Sequence, residues 1–144
     1  MCSYCGCQSL PVIRLLTEQH EGIINILGQL RRAVEISDLD ASLCLARELV
    51  AILDPHTELE EKGLFVALLD DEEFVEPVSK LAQEHGEINA LIGRLLIGEF
   101  SVIQELESRL RNHINNEENG IFPAAAVSFD GSAWDKIEKE YISH

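Results

Sequence analysis

Apolar positions recur at steps of three and four along four long stretches of the chain. From Ser9 to Glu35 the stripe runs through Ile13, Leu16, His20, Ile23, Leu27, Leu30 and Val34, the 3.6-residue period of a helix with one buried face. Ser9 is placed to cap that helix and Pro11 falls in its first turn. The second stretch, Asp40 to Leu69, carries Leu45, Leu49, Ile52, Leu53, His56, Leu59, Glu60 and Gly63. The third, Asp71 to Ile97, carries Phe74, Val78, Leu81, His85, Ile88, Ile92 and Leu95. The fourth, Glu99 to Ala126, carries Val102, Ile103, Leu106, Leu110, His113, Ile114, Glu117 and Ile121. A short fifth helix is expected near Ser132 to Ile142. Strand signals are nearly absent, and the joints at Ser37-Asp38, Leu69-Asp70-Asp71 and Gly98 are short. Short joints make consecutive helices antiparallel neighbours. The pattern predicts an all-α, up-down-up-down four-helix bundle with a short C-terminal fifth helix. Pro55 and Pro77 fall inside helical patterns, where each is expected to remove a backbone hydrogen bond and kink its helix.

The chain repeats itself. The segment His56-Thr-Glu-Leu-Glu60-Glu-Lys-Gly63-Leu-Phe65 returns as His113-Ile-Asn-Asn-Glu117-Glu-Asn-Gly120-Ile-Phe122. Each copy is preceded, one helix earlier, by a histidine, in Gln19-His20-Glu21 and in Glu84-His85-Gly86. The sequence therefore reads as two helical hairpins related by an internal pseudo-two-fold, each supplying one His and one His-x3-Glu.

These polar residues lie on the stripes that the fold buries. Glu60 and Glu117 sit one turn beyond His56 and His113 on the same faces, since positions i and i+4 differ by only ~40° around a helix axis. A buried, unpaired carboxylate costs several kcal/mol against a net stability of ~5–15 kcal/mol. Bound cations remove that conflict. Six ligands are too many for one tetrahedral zinc. Two metals, each held by two histidines and sharing Glu60 and Glu117, receive four protein ligands apiece. A solvent-derived oxo or hydroxo bridge adds a fifth and leaves a position open. Mixed imidazole and carboxylate ligation suits non-haem iron better than calcium or magnesium, and bundle cores are a recognised place for di-iron sites. The expected metal ligands are His20, His56, Glu60, His85, His113 and Glu117. On an ideal helix Glu61 and Glu118, five residues after a histidine, turn ~140° away and read as solvated or outer groups. A kink or π-bulge would instead swing Glu118 inward in place of Glu117. Gly63 and Gly120 leave room either for a small ligand or for close helix packing.

Composition narrows the partners. Eleven Lys and Arg against 26 Asp and Glu give a net charge of −15 over 144 residues, which argues against nucleic acid and anionic membranes. No apolar run approaches the ~20 residues of a membrane span, and the N-terminus lacks the basic and apolar regions of a secretory signal. Four cysteines, three of them at Cys2, Cys5 and Cys7, do not read as an extracellular disulfide framework, so a cytoplasmic, reduced setting is expected. Residues 1–8 read as a cysteine-containing tail and 9–144 as the bundle. The close thiols of the tail fit metal binding, electron relay, acceptance of iron leaving the centre, or a mobile, redox-exposed end. Cys44 reads as an inert buried thiol beside the second stripe. His144 reads as solvated, and Tyr4 and Tyr141 reach a site only if the termini fold back.

The pattern His20 … His56-x3-Glu60 … His85 … His113-x3-Glu117 resembles the hemerythrin-like, HHE cation-binding domain family over about residues 10 to 125. The resemblance implies a four-helix bundle holding two iron ions in an oxo- or hydroxo-bridged centre, with the four histidines as terminal ligands and the two glutamates as bridges. It implies dioxygen, nitric oxide or peroxide as the small partner. Oxygen-carrying members use a fifth histidine where this chain has Asn89, and place the second bridge where it has Glu118. The four-His, two-Glu set is instead similar to bacterial repair-of-iron-centres proteins and to bacterial hemerythrin-like proteins generally. The leading function is a di-iron protein that binds or responds to a small oxidant or diatomic. The alternatives are a catalase-like or nitric-oxide-reducing enzyme, or an iron donor for iron–sulfur repair. The oligomeric state is not legible.

Overall fold

In the computed structural model, which describes residues 10–142, every element is helical and no strand occurs among the described residues. Ser9, Tyr4, the three N-terminal cysteines and His144 lie outside them. Helix α1, Pro11–Glu35, opens with Pro11 at its first position, where the missing N–H would have had no helical partner. Ser37 turns the chain at a φ of 57°, and the Asp38 carboxylate accepts from the Ala41 N–H at 3.1 Å to cap α2, Leu39–Glu58. Without a break, α2 passes through a π-helical segment, Leu59–Phe65, into α3, Val66–Leu68. A single 3₁₀ turn leads into α4, Val75–Leu96, which ends before Gly98 at a φ of 93°. A second 3₁₀ turn leads into α5, Ile103–Asn116, followed by a π-helical segment, Glu117–Ile121, and α6, Phe122–Ser128. Asp130 caps the last helix, α7, Gly131–Tyr141, through the Ala133 N–H. The joints fall where the sequence places them. None of these helices is long and apolar enough to cross a membrane.

Two expectations need correction. Pro77 lies in the first turn of α4, not in its interior, and a first-turn N–H has no helical acceptor to lose. Pro55 does lie inside α2. Cys44 is exposed rather than buried. The buried face of α2 is set by Ser42, Ala46, Leu49 and Leu53, and a residue two places from Ser42 and Ala46 points ~200° away from it.

The core has two apolar clusters. One gathers Val12, Ile13 and Leu16 with Leu64, Phe65 and Leu68, Val78 and Leu81, and Ile121, Phe122 and Ala125. The other gathers Leu27 and Leu30 with Ala46 and Leu49, Leu91 and Leu95, and Val102 and Leu106. The helices make four long rods, α1, α2 through α3, α4, and α5 through α6. On each the histidine, with Glu60 on the second and Glu117 on the fourth, falls between residues of the first cluster and residues of the second. Helix α7 closes the first cluster with Trp134 and Ile137.

The two glycines of the repeat play different parts. A Cβ on Gly63 would come within 3.2 Å of Ile137 Cγ2 and 3.3 Å of Tyr141 Cδ2, whereas one on Gly120 would meet nothing within 4 Å. Gly63 therefore lets α7 lie close against the first π-helical segment, and the Tyr141 hydroxyl donates to the Lys62 carbonyl there at 3.2 Å. Replacing a helical glycine by alanine gains up to ~1 kcal/mol from backbone entropy where space allows. Gly120→Ala should accordingly stabilise the fold, while Gly63→Ala should give up that gain by pushing on Ile137 and Tyr141. Urea midpoints of the two variants measure this, and equal gains at both positions would contradict the packing argument.

Candidate metal centre

Each of the four long rods brings one histidine to the space between the apolar clusters. His20, His56, His85 and His113 are all buried, and Glu60 and Glu117 are wholly inaccessible. The six side chains form two quartets that share both carboxylates. His20, His56, Glu60 and Glu117 converge with ligand atoms within 4.8 Å of one another, and so do Glu60, His85, His113 and Glu117. The Nε2 atom of every imidazole faces inward. His20 Nε2 lies 2.9 Å from Glu117 Oε1, His85 Nε2 3.0 Å from Glu60 Oε1, His113 Nε2 3.2 Å from Glu117 Oε2 and His56 Nε2 3.4 Å from Glu60 Oε1.

Despite these short separations, both oxygens of Glu60, Oε2 of Glu117 and Nε2 of His113 have no aligned hydrogen-bond partner. Buried polar atoms are nearly always paired. Here their lone pairs converge on common points instead of on one another, the arrangement that a cation would complete. The donor set, imidazole with carboxylate, fits a transition metal.

The opposite nitrogen of every ring faces outward to an acceptor. His20 Nδ1 pairs with Glu118 Oε2 at 2.7 Å, His56 Nδ1 with Gln19 Oε1 at 2.7 Å, His85 Nδ1 with Glu61 Oε2 at 2.9 Å and His113 Nδ1 with Glu84 Oε1 at 2.7 Å. An Nδ1–H donated outward leaves Nε2 with its lone pair free for a metal. Ring planes are held as well. Phe122 stacks on His20 with centroids 5.7 Å apart, and Phe65 stacks on His85 at 5.8 Å.

Residues 12–125 match the family model described as the hemerythrin HHE cation binding domain. The chain belongs to that family. No curated protein and no solved structure is similar enough to this HHE domain to match. The six residues expected from sequence are thus brought together in one place within a cation-binding domain.

The sequence reading missed the wall around this HHE centre. Of the two alternatives that the sequence leaves for Glu61 and Glu118, both take the outer-group one. Each sets a carboxylate oxygen on a ring Nδ1, although Glu61 stays partly exposed, and both follow inner glutamates where the helix runs into π-helical turns. With i→i+5 bonding the turn widens, so consecutive glutamates serve different rings. Glu117 remains the buried inner carboxylate, and Glu118 backs His20 from outside. Pro123, early in α6, has no N–H to return to Asn119, so regular α-helical bonding cannot continue through that segment. Gln19 and Glu84, each directly before a site histidine, carry no signal in the sequence because neither lies on an apolar stripe, yet they accept from His56 and His113. Phe65 and Phe122 are visible as part of the repeat, but stacking on a ring of another helix is a tertiary fact. Tyr141 reaches the backbone of the first π-helical segment.

In the metal-free centre the buried groups shift one another's titration. Burial pushes the His20 ring down, but hydrogen bonds to Glu117 and Glu118 and the nearby Glu60 charge bring it up to about 9. His113 behaves alike: burial opposes its charge, and Glu117, Glu60 and Glu84 raise it to about 9. Burial works against ionisation of Glu60, yet the charge of His56, with Glu117 and His85 beside it, holds its carboxyl well below the ordinary value.

Proposed function

We propose that this HHE domain is a non-haem di-iron protein that binds or responds to a small oxidant or diatomic. In this reading the four long rods form an up-down-up-down bundle, supported by the way each rod gives one end to the first apolar cluster and the other to the second. His20 and His56 hold one iron, His85 and His113 the other, and Glu60 and Glu117 bridge them. The observation that carries the reading is the sharing of both buried carboxylates between two histidine pairs. A single ion would leave one pair idle.

Bound iron would supply open coordination positions and a change of oxidation state. The protein's own part is to hold each Nε2 inward, keep water scarce and limit what enters. A cavity of about 10 Å³ lies against all four imidazoles, closed by Ile23, Leu53, Ile88 and Leu110. A space this small beside the four imidazoles supports a small ligand rather than a large one. Asn89, at the position where oxygen carriers place a fifth histidine, lies on the cavity wall.

Freshly purified protein should contain about two iron atoms per chain and show a near-ultraviolet charge-transfer band. One tightly held zinc with no iron would overturn the di-iron reading. Peroxide added to the oxidised protein should give a single spectral change. Steady oxygen evolution would move the reading to catalysis.

A further inference from the structure

The outer acceptors of the four histidines obey the internal pseudo-two-fold with one exception. The glutamate following each inner carboxylate crosses to the opposite half, Glu118 to His20 and Glu61 to His85. The residue preceding the first histidine of each half turns to the second histidine of its own half. In the second half this is Glu84, on His113. In the first half it is Gln19, on His56. The two quartets share Glu60 and Glu117, so the inner carboxylates cannot distinguish them. The inequality lies outside: the His85 and His113 quartet is backed by two carboxylates, the His20 and His56 quartet by one carboxylate and one neutral amide. Gln19 offers the same hydrogen bond at the same 2.7 Å as Glu84, but without the negative charge.

A carboxylate behind an imidazole makes its other nitrogen a better donor to metal, and loss of such a partner typically costs 10–100-fold in affinity. We propose that Gln19 is a positioning residue that makes the two metal positions unequal, so that the His20 and His56 position fills last and empties first. The metal-loaded chain would then pass through a defined half-loaded state with its ion between His85 and His113. This inference rests on the two-metal reading above.

The test is release of ferrous iron from the loaded, full-length protein to an excess of a ferrous chelator under anaerobic conditions. The native chain should release one iron per chain about tenfold or more faster than the other. Gln19→Glu should slow the fast phase until the two merge. Glu84→Gln should speed the slow phase and merge them from the other side, a reversal that a merely structural role for Gln19 would not produce. Equal melting temperatures of the metal-free native and variant chains would show that the fold is kept. Two irons leaving in one phase from the native chain, or a Gln19→Glu chain with the native ratio of rates, would overturn the proposal while leaving the di-iron reading intact. A chain that never takes up a second metal would overturn both.

Discussion

Glu117→Ala and Glu60→Ala should each bring iron content from about two per chain to below one, the largest single-residue effects expected at this centre. Each carboxylate belongs to both quartets, so one truncation removes a ligand from both positions at once. Glu117 also lies within 2.9 Å of His20 and 3.2 Å of His113, and its removal leaves two buried rings facing an empty space. Because truncation opens a cavity, Glu117→Gln is the companion variant: it keeps the volume and removes the charge, and it should lose metal too. Glu118→Ala and Glu61→Ala should behave differently. They take away the outer acceptors of His20 and His85, which weakens binding about 10–100-fold without deleting an inner ligand. At saturating iron these two should still reach two per chain, and they should fall behind the native chain only when iron is limiting. Iron per chain after identical reconstitution at high and low iron measures both regimes. A Glu118→Ala chain that holds no iron at saturation, beside a Glu117→Ala chain that holds two, would exchange the roles assigned to these neighbours.

What the sequence shows of this centre, and what it hides, divides along a physical line. The four helical stripes and the polar interruptions in them are local patterns, and each needs only the 3.6-residue period to be seen. His20, His56, His85 and His113 therefore stand out on apolar faces, and the repeated Glu at the fourth place after a histidine marks the inner carboxylates. The outer wall is different, because it depends on the local failure of that same period. Over Leu59–Phe65 and Glu117–Ile121 the helix widens into π turns, and a 100° step per residue then leaves open whether Glu61 and Glu118 face solvent or back the site. The repeat gave a hint of this, since Glu-Glu appears in both halves where one carboxylate would suffice for a bridge. Gln19 and Glu84 were hidden for another reason. Their partners, His56 and His113, lie on neighbouring helices, and no single-helix pattern reports such a pairing. Cys44 was misplaced by proximity to the stripe, where two residues along a helix is nearly the opposite face.

Metal removal should lower the melting temperature of this protein, and the gap between loaded and metal-free chains should widen as pH rises from about 6.5 to 9. The first half follows from mass action. A ligand bound only by the folded state, at a free concentration 1,000-fold above its dissociation constant, adds ~4 kcal/mol. For a chain of this size that is on the order of 10–20 °C. The second half follows from where the protons sit. In the metal-free fold burial opposes charge on His20 and His113, but the surrounding carboxylates raise both to about 9, above the ordinary histidine value of ~6.5. A group whose folded value is raised contributes its stability fully below the unfolded value and loses it as pH climbs through the folded one. The metal-free chain should therefore weaken between pH ~6.5 and ~9. Those same protons compete with metal for Nε2, since a ligating imidazole must be neutral. Below about pH 9 each position should lose at least about tenfold in apparent affinity per pH unit, since His85 is raised as well beside His113, so binding strengthens across the window in which the empty fold loosens. The two trends act in the same direction on the gap. Thermal unfolding of loaded and metal-free protein at pH 6.5 and pH 9, at fixed free metal, measures it. A gap that stays constant or narrows would mean that the protons of the metal-free centre are not held on His20 and His113.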